Sequence, residues 1–347
     1  MAKPDKRVVR DTQTVNVFFE QNIHLPMLYG DHDAHLERIE QMLNVELVSR
    51  GNMISITGLK RDIEATEQIL QSLYQQIERG NEITVANVDA AIRMIPPVVE
   101  NKKAKPKPAG DMAQSVESEV YIRTMKKTIT PYSHVQANYI RGLYNSDLLF
   151  ALGPAGTGKT YIAVAMAVYQ FIHKKVERII LSRPAVEAGE KIGFLPGDIK
   201  DKIDPYMRPL YDALFDMMPA DRVQQAIDNG EIELAPLAFM RGRTFSNAFV
   251  ILDEAQNTTR TQMKMFLTRM GERSRMVITG DLSQIDLPKD VKSGLADCIP
   301  KIEHIPGIDV IRFSDGDVVR HPLAKRIVQA YDEWEEKKKK FAENDEG

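Results

Sequence analysis

The residues with the clearest chemical meaning are Gly153-Pro154-Ala155-Gly156-Thr157-Gly158-Lys159-Thr160. Their glycines let the backbone turn its amides inward, so that they surround an anion. Lys159 adds a positive charge, and Thr160 adds a hydroxyl that can ligate a hard divalent cation. The stretch fulfils the phosphate-loop pattern G-x-x-x-x-G-K-[ST]. Apolar Leu148-Leu149-Phe150-Ala151-Leu152 leads in, and an apolar-rich helix starting at Tyr161 leads out. A nucleoside triphosphate is therefore expected here. Gly153, Pro154, Ala155, Gly156, Thr157 and Gly158 would form the cradle, with Lys159 bridging the β- and γ-phosphates and Thr160 on Mg²⁺.

A second constellation lies in AFVILDEAQN, residues 248–257. An apolar strand ends there in Asp253, expected to support Mg²⁺ from behind its direct ligands, and Glu254, placed to polarise the attacking water. Adjacent carboxylates at such a strand end favour hydrolysis over transfer to a small acceptor. Gln284, in TGDLSQIDLP, is placed to contact the γ-phosphate or the attacking water. Gln136, in ITPYSHVQANYI, can offer both a donor and an acceptor to an adenine edge.

These residues need strands that end on one side. LLFAL, RIILSR ending at Arg183, AFVIL, RMVITGD ending at Asp281, and IDVIRF ending at Phe313 read as five parallel strands with crossover helices. The expected fold class is α/β, a RecA-like P-loop NTPase core with a parallel five-stranded sheet, preceded by a small α+β domain. The chemistry gathers at the carboxyl ends of the strands.

The chain has 347 residues, enough for roughly two domains of about 150 residues. Its 46 basic and 49 acidic side chains, net −3, exclude a global electrostatic grip on nucleic acid and leave only local basic surfaces for it. Cys298 is the single cysteine, so no internal disulfide or Cys-based zinc site is expected. The N-terminus lacks an apolar signal segment, and the apolar run from Tyr161 to Ile172 is too short to span a bilayer. A cytoplasmic protein without a membrane partner is expected. Pro/Lys-rich residues 96–119 read as a linker between a domain at 1–95 and one at 120–330, followed by a charged, solvated tail at 331–347.

Residues 1–95 alternate strand, helix, strand, strand, helix. The first helix opens at Gly30-Asp31-His32-Asp33 with Leu36, Ile39 and Leu43 on its apolar face. The two middle strands join at Gly51-Asn52. The second helix carries Ile63, Leu70, Leu73 and Ile77. This order resembles a degenerate KH-type module, which would bind single-stranded RNA. The glycine turn that would clamp a nucleic-acid backbone holds two carboxylates here, which suit a helix N-terminus instead. An interaction or oligomerisation domain is the competing reading. A metal site from Asp31, His32, Asp33 and His35 lacks further His or Cys ligands.

Six blocks in one order, TPYSHVQANYI, GPAGTGKT, LSRPAVEAGEKIGFLPGD, FMRGRTFSNAFVILDEAQN, TGDLSQIDLP and DVVRHPL, resemble the bacterial PhoH-like ATPases. The resemblance covers nearly the whole chain. It implies an ATPase core related to superfamily 1 helicases, a role in RNA metabolism, and an rRNA-maturation endoribonuclease as a partner. Such helicases close a second core over the nucleotide, and residues 314–347 are too few for one. A head-to-tail ring of subunits, expected as a homo-hexamer, would complete the site. The arginine acting in trans would be Arg320, with Arg183, Arg241 and Arg243 as other candidates. Three functions remain open: an RNA-stimulated, helicase-like remodelling ATPase; an ATP-dependent switch or scaffold that binds a nuclease or ribosomal particle; and a small-molecule kinase, which Asp253-Glu254 and the GD-x-x-Q block disfavour.

Overall fold

The computed structural model describes residues 12–94, 120–184, 199–288 and 290–319, together with residues 327 and 334. The expected linker, Arg320 and all of the tail but Trp334 lie outside these described residues. The chain divides into two compact units. One comprises residues 1–123 and 127–137, the other residues 124–126 and 138–347.

In the first unit, β1 (Thr12–Phe18) is followed by helices α1 (Leu25–Tyr29) and α2 (Ala34–Leu43), strands β2 (Glu46–Arg50) and β3 (Met53–Leu59), and helices α3 (Lys60–Glu78) and α4 (Val85–Arg93). The strands form an antiparallel sheet in the order β1-β3-β2. Alternation along the central strand sends Ile54 and Ile56 into a core shared with Ile63, Leu70, Leu73 and Ile77 of α3. The pair β4 (Ile122–Arg123) and β5 (Thr128–Ile129) is antiparallel.

The turn before α2 departs from expectation. Asp33 stands at the N-cap position, but its side chain accepts no capping hydrogen bond. The reason is backbone geometry: His32 and Asp33 have φ of 53° and 62°, and capping side chains need the extended conformation. Gly30 is required because a Cβ there would stand 2.8 Å from the ring of His35.

Apart from residues 124–126, the second unit runs from within α5 (His134–Asn145) through β6 (Leu148–Leu152), α6 (Lys159–Ile172), β7 (Arg178–Arg183), α7 (Ile199–Met217), α8 (Ala220–Asp228), β8 (Ile232–Pro236), β9 (Ala248–Leu252), α9 (Arg260–Leu267), β10 (Arg275–Gly280), α10 (Gly294–Ile302) and β11 (Ile308–Arg312). Its sheet is wholly parallel, in the order β11-β6-β10-β9-β7-β8. Strands β6 and β9 are buried along their whole length, as parallel strands covered on both faces must be.

The sheet has six strands where five were expected. The additional strand, β8, pairs only with β7 at the sheet edge. Its sequence, IELAP, combines a charge and a terminal proline, which an edge position tolerates and a central one does not. Without β8 the order is that of a RecA-like α/β core, with the phosphate-loop strand between the last and the fourth strands in chain order. Among the described residues, no helix is long and apolar enough to cross a membrane.

Leu70 is fully buried in the core of the first unit, while every phosphate-loop residue lies in the second. Leu70→Ala should cost about 2–5 kcal/mol in urea unfolding of the first unit and leave nucleotide affinity unchanged in a binding titration.

Candidate functional site

Strand β6 delivers the chain to the phosphate loop, and α6 carries it away. Gly153, Gly156 and Gly158 have φ of 139°, 82° and 80°, a region in which side chains are strained. At Gly153 space is also short: a Cβ would meet the carbonyl oxygen of Phe313 at 2.5 Å. The loop is held from outside by Gly153 N–H donating to Gly280 O at 3.1 Å and Val319 N–H donating to Gly156 O at 2.9 Å. Its amides and the N-terminus of α6 together make an anion cradle.

Lys159 is buried, and its Nζ donates to Gly153 O at 2.6 Å and Pro154 O at 2.7 Å. Burial pulls this ammonium below the ordinary lysine range, against the opposing pull of Asp281, Asp253 and Glu254. The Thr160 hydroxyl donates to Asp253 Oδ1 at 2.6 Å, and Thr279 Oγ1 donates to the same oxygen at 2.6 Å. Asp253 thus receives donors from α6 and from β10.

Glu254 turns out of the strand in a left-handed conformation, φ 52° and ψ 38°. Its Oε1 lies 3.0 Å from Arg183 Nη2, and its Oε2 accepts from Gln256 Nε2 at 2.6 Å. Arg183 also approaches Asp253 Oδ2 at 3.9 Å and donates to Tyr206 O at 2.9 Å. A cleft of about 250 Å³ is lined by Ala155, Lys159, Thr160, Asp253, Glu254 and Gln284, among others. A second cavity of about 390 Å³, walled by Asp212 and Asp216 of α7, adjoins it at Thr160, Tyr161, Asp253 and Glu254.

The other expected residues are sorted by position. Gln284 is exposed and lines the cleft. Gln136 is buried, and its Oε1 accepts from Tyr132 N–H at 2.6 Å. It belongs to the first unit, so its part in base recognition remains a proposal. Arg243 is held in a two-point pair with Glu233 at 2.5 and 2.6 Å, and Arg241 is exposed beside Gly242. Of the candidate arginines among the described residues, Arg183 is the one in the cleft region.

Two residues escaped the sequence reading. Asp281 is buried, accepts from Ser283 through Oδ1, and its Oδ2 finds no hydrogen-bond partner among the described residues. Gln256 is buried between Glu254 and the 281–284 loop. The spacing of Asp281 from Gln284 in GD-x-x-Q was a usable signal for the first; nothing local marks the second.

A hydroxyl, a carboxylate and a further buried carboxylate oxygen are hard donors suited to Mg²⁺, which takes few protein ligands beside substrate phosphates. No group of three or more His, Cys, Asp or Glu among the described residues could hold a metal by itself. In the Asp31/His32/Asp33/His35 cluster, His35 is buried with Nδ1 3.2 Å from Leu28 O.

The family model described as PhoH-like protein matches residues 128–332. The chain belongs to the PhoH-like protein family. A PhoH-like protein of Bacillus subtilis is 47% identical over 305 residues, covering 88% of this chain and 93% of that protein. One from Mycobacterium leprae is 44% identical over 309 residues, covering 89% and 86%. Protein PhoH of Escherichia coli is 47% identical over 201 residues, 57% of each chain. The first two relatives reach beyond the segment that defines the PhoH-like family. Among solved structures, a Sulfolobus solfataricus SWI2/SNF2 ATPase core in complex with double-stranded DNA aligns at 16% identity and a TM-score of 0.29, over 46% of this chain and 33% of that one.

Gly153→Ala should destabilise the second unit by about 1–3 kcal/mol, read as a lower unfolding midpoint. Lys159→Ala removes the positive charge at the phosphate loop and should weaken nucleotide binding at least ~10-fold, since a hydrogen bond to a charged group contributes about 1.5–3 kcal/mol. Fluorescence titration with a labelled nucleotide checks it.

Proposed function

We propose that this PhoH-like protein hydrolyses ATP. The observation that carries the reading is the convergence of Lys159, Thr160, Asp253 and Glu254 on one cleft at the carboxyl ends of parallel strands. The amides of residues 153–158 and Lys159 bind the phosphates. Thr160 and Asp253 would hold Mg²⁺, which would neutralise phosphate charge. Glu254 takes a proton from water as the water oxygen bonds to the γ-phosphorus. The bond to the β-phosphate oxygen breaks, and ADP departs with its electron pair. Arg183, beside Glu254, is suited to stabilise charge in the same chain. Arg320 in trans, within a hexameric ring, remains the alternative source of that charge.

We further propose RNA as the stimulating ligand, with rRNA maturation as its setting and the maturation endoribonuclease as a partner. One observation favours the switch-or-scaffold alternative. Residues 1–95 carry 14 acidic and 10 basic side chains, a net −4, which disfavours a phosphate backbone and suits a protein partner. Under that reading the KH-like unit docks a protein, and hydrolysis releases it.

Glu254→Gln should bind ATP as wild type does and lose turnover by about 10²–10⁴-fold; unchanged turnover would remove Glu254 as the base. Single-stranded RNA added to wild-type protein separates the two functional readings. A rise in ATPase rate that is lost at high salt supports the RNA-stimulated enzyme. A flat response supports the switch. Mixing inactive Arg320→Ala and Lys159→Ala proteins should restore some activity if Arg320 acts across subunits; no rescue despite subunit exchange excludes it.

A further inference from the structure

Gln256 has only 1% of its surface exposed, and both ends of its amide are occupied. Its Nε2 donates to Glu254 Oε2 at 2.6 Å and to the Gln284 carbonyl at 3.2 Å, while its Oε1 accepts from Asp281 N–H at 3.0 Å. The reverse amide orientation would set an oxygen against two acceptors, so the partners fix the assignment. The backbone around it is also secured, because Ser293 Oγ donates to Gln256 O at 2.7 Å. Gly280 leaves the amide its room: a Cβ there would stand 2.9 Å from Gln256 Oε1.

We infer that Gln256 is a positioning residue that couples the 281–284 loop to the orientation of the Glu254 carboxylate. The inference rests on Glu254 as the base. Two of the three side-chain bonds of Gln256 go to the loop that carries Gln284 into the cleft, and the third goes to Glu254. A shift of that loop when the γ-phosphate arrives or leaves therefore moves the amide, and the amide turns the carboxylate. The second Glu254 oxygen is held by Arg183, so the carboxylate is aimed from two sides. Gln256 does this with a neutral donor and leaves the charge of the base intact. The charged groups around the contact are Arg183 at the end of β7, Lys159 on α6, Asp253 beside Glu254, and Asp281 after β10.

Gln256→Glu tests this with almost no change in shape. It sets an acceptor against Glu254 where a donor had been. The variant should bind a non-hydrolysable ATP analogue within twofold of wild type and lose about 10–100-fold in kcat, the size of a misplacement effect. Gln256→Met, similar in shape and lacking both polar ends, should show a comparable loss in kcat with the same unchanged analogue affinity. Wild-type kcat in either variant overturns the inference, and so does a loss of analogue affinity that matches the loss in kcat. Glu254→Gln measured alongside separates the two levels. Full turnover there removes the base itself, whereas lost turnover there with unaffected Gln256 variants removes only the coupling.

Discussion

The site depends on one buried carboxylate, Asp253, and on how it is accommodated. At 5% exposure it would be costly without donors. Two threonines supply them, Thr160 from the start of α6 and Thr279 from β10, both at 2.6 Å and both on Oδ1. These bonds tie the phosphate loop, β9 and β10 together where the strands end. They also leave Oδ2 with its cation, Arg183, as far as 3.9 Å away. The carboxylate is satisfied but not neutralised by close pairing, which suits a group that is to share a divalent ion with the Thr160 hydroxyl.

The parallel sheet makes this arrangement available. All strands present their carboxyl ends on one side, so Arg183, Asp253 and Asp281 arrive at the same edge from β7, β9 and β10. The result is a concentration of charge: Lys159 and Arg183 among Asp253, Glu254 and Asp281. Two of these charges hold one another directly, in the Arg183–Glu254 pair. The second cavity extends the acidic wall through Asp212 and Asp216.

The readable parts of the sequence were those whose meaning is local. A phosphate loop needs its glycines, lysine and threonine within eight positions, and Asp253-Glu254 stand directly after an apolar strand, so both could be located by inspection. Strand β8 was missed because an edge strand with one partner needs little apolar character. The capping role expected of Asp33 failed because its left-handed backbone was not visible in a Gly-Asp-His-Asp string. Arg183 and Arg243 look equivalent in sequence, and only the fold shows that Arg243 is engaged by Glu233 while Arg183 meets Glu254. Gln256 was illegible because its role depends on two residues more than twenty positions away. In the first unit the three strands and the helices α2 and α3 could be read, but α1 and α4 could not: at five and nine residues they are too short to show a helical apolar period.

The central claim is that Thr160 and Asp253 form the seat of Mg²⁺ beside the phosphates. The most direct measurement is the Mg²⁺ dependence of ADP affinity by isothermal titration, in wild type and in Asp253→Asn. Wild type should bind ADP more tightly with Mg²⁺ than with EDTA. In Asp253→Asn, which keeps the shape but loses the charge, that difference should collapse while affinity in EDTA stays close to wild type. An undiminished Mg²⁺ effect in Asp253→Asn would contradict the account.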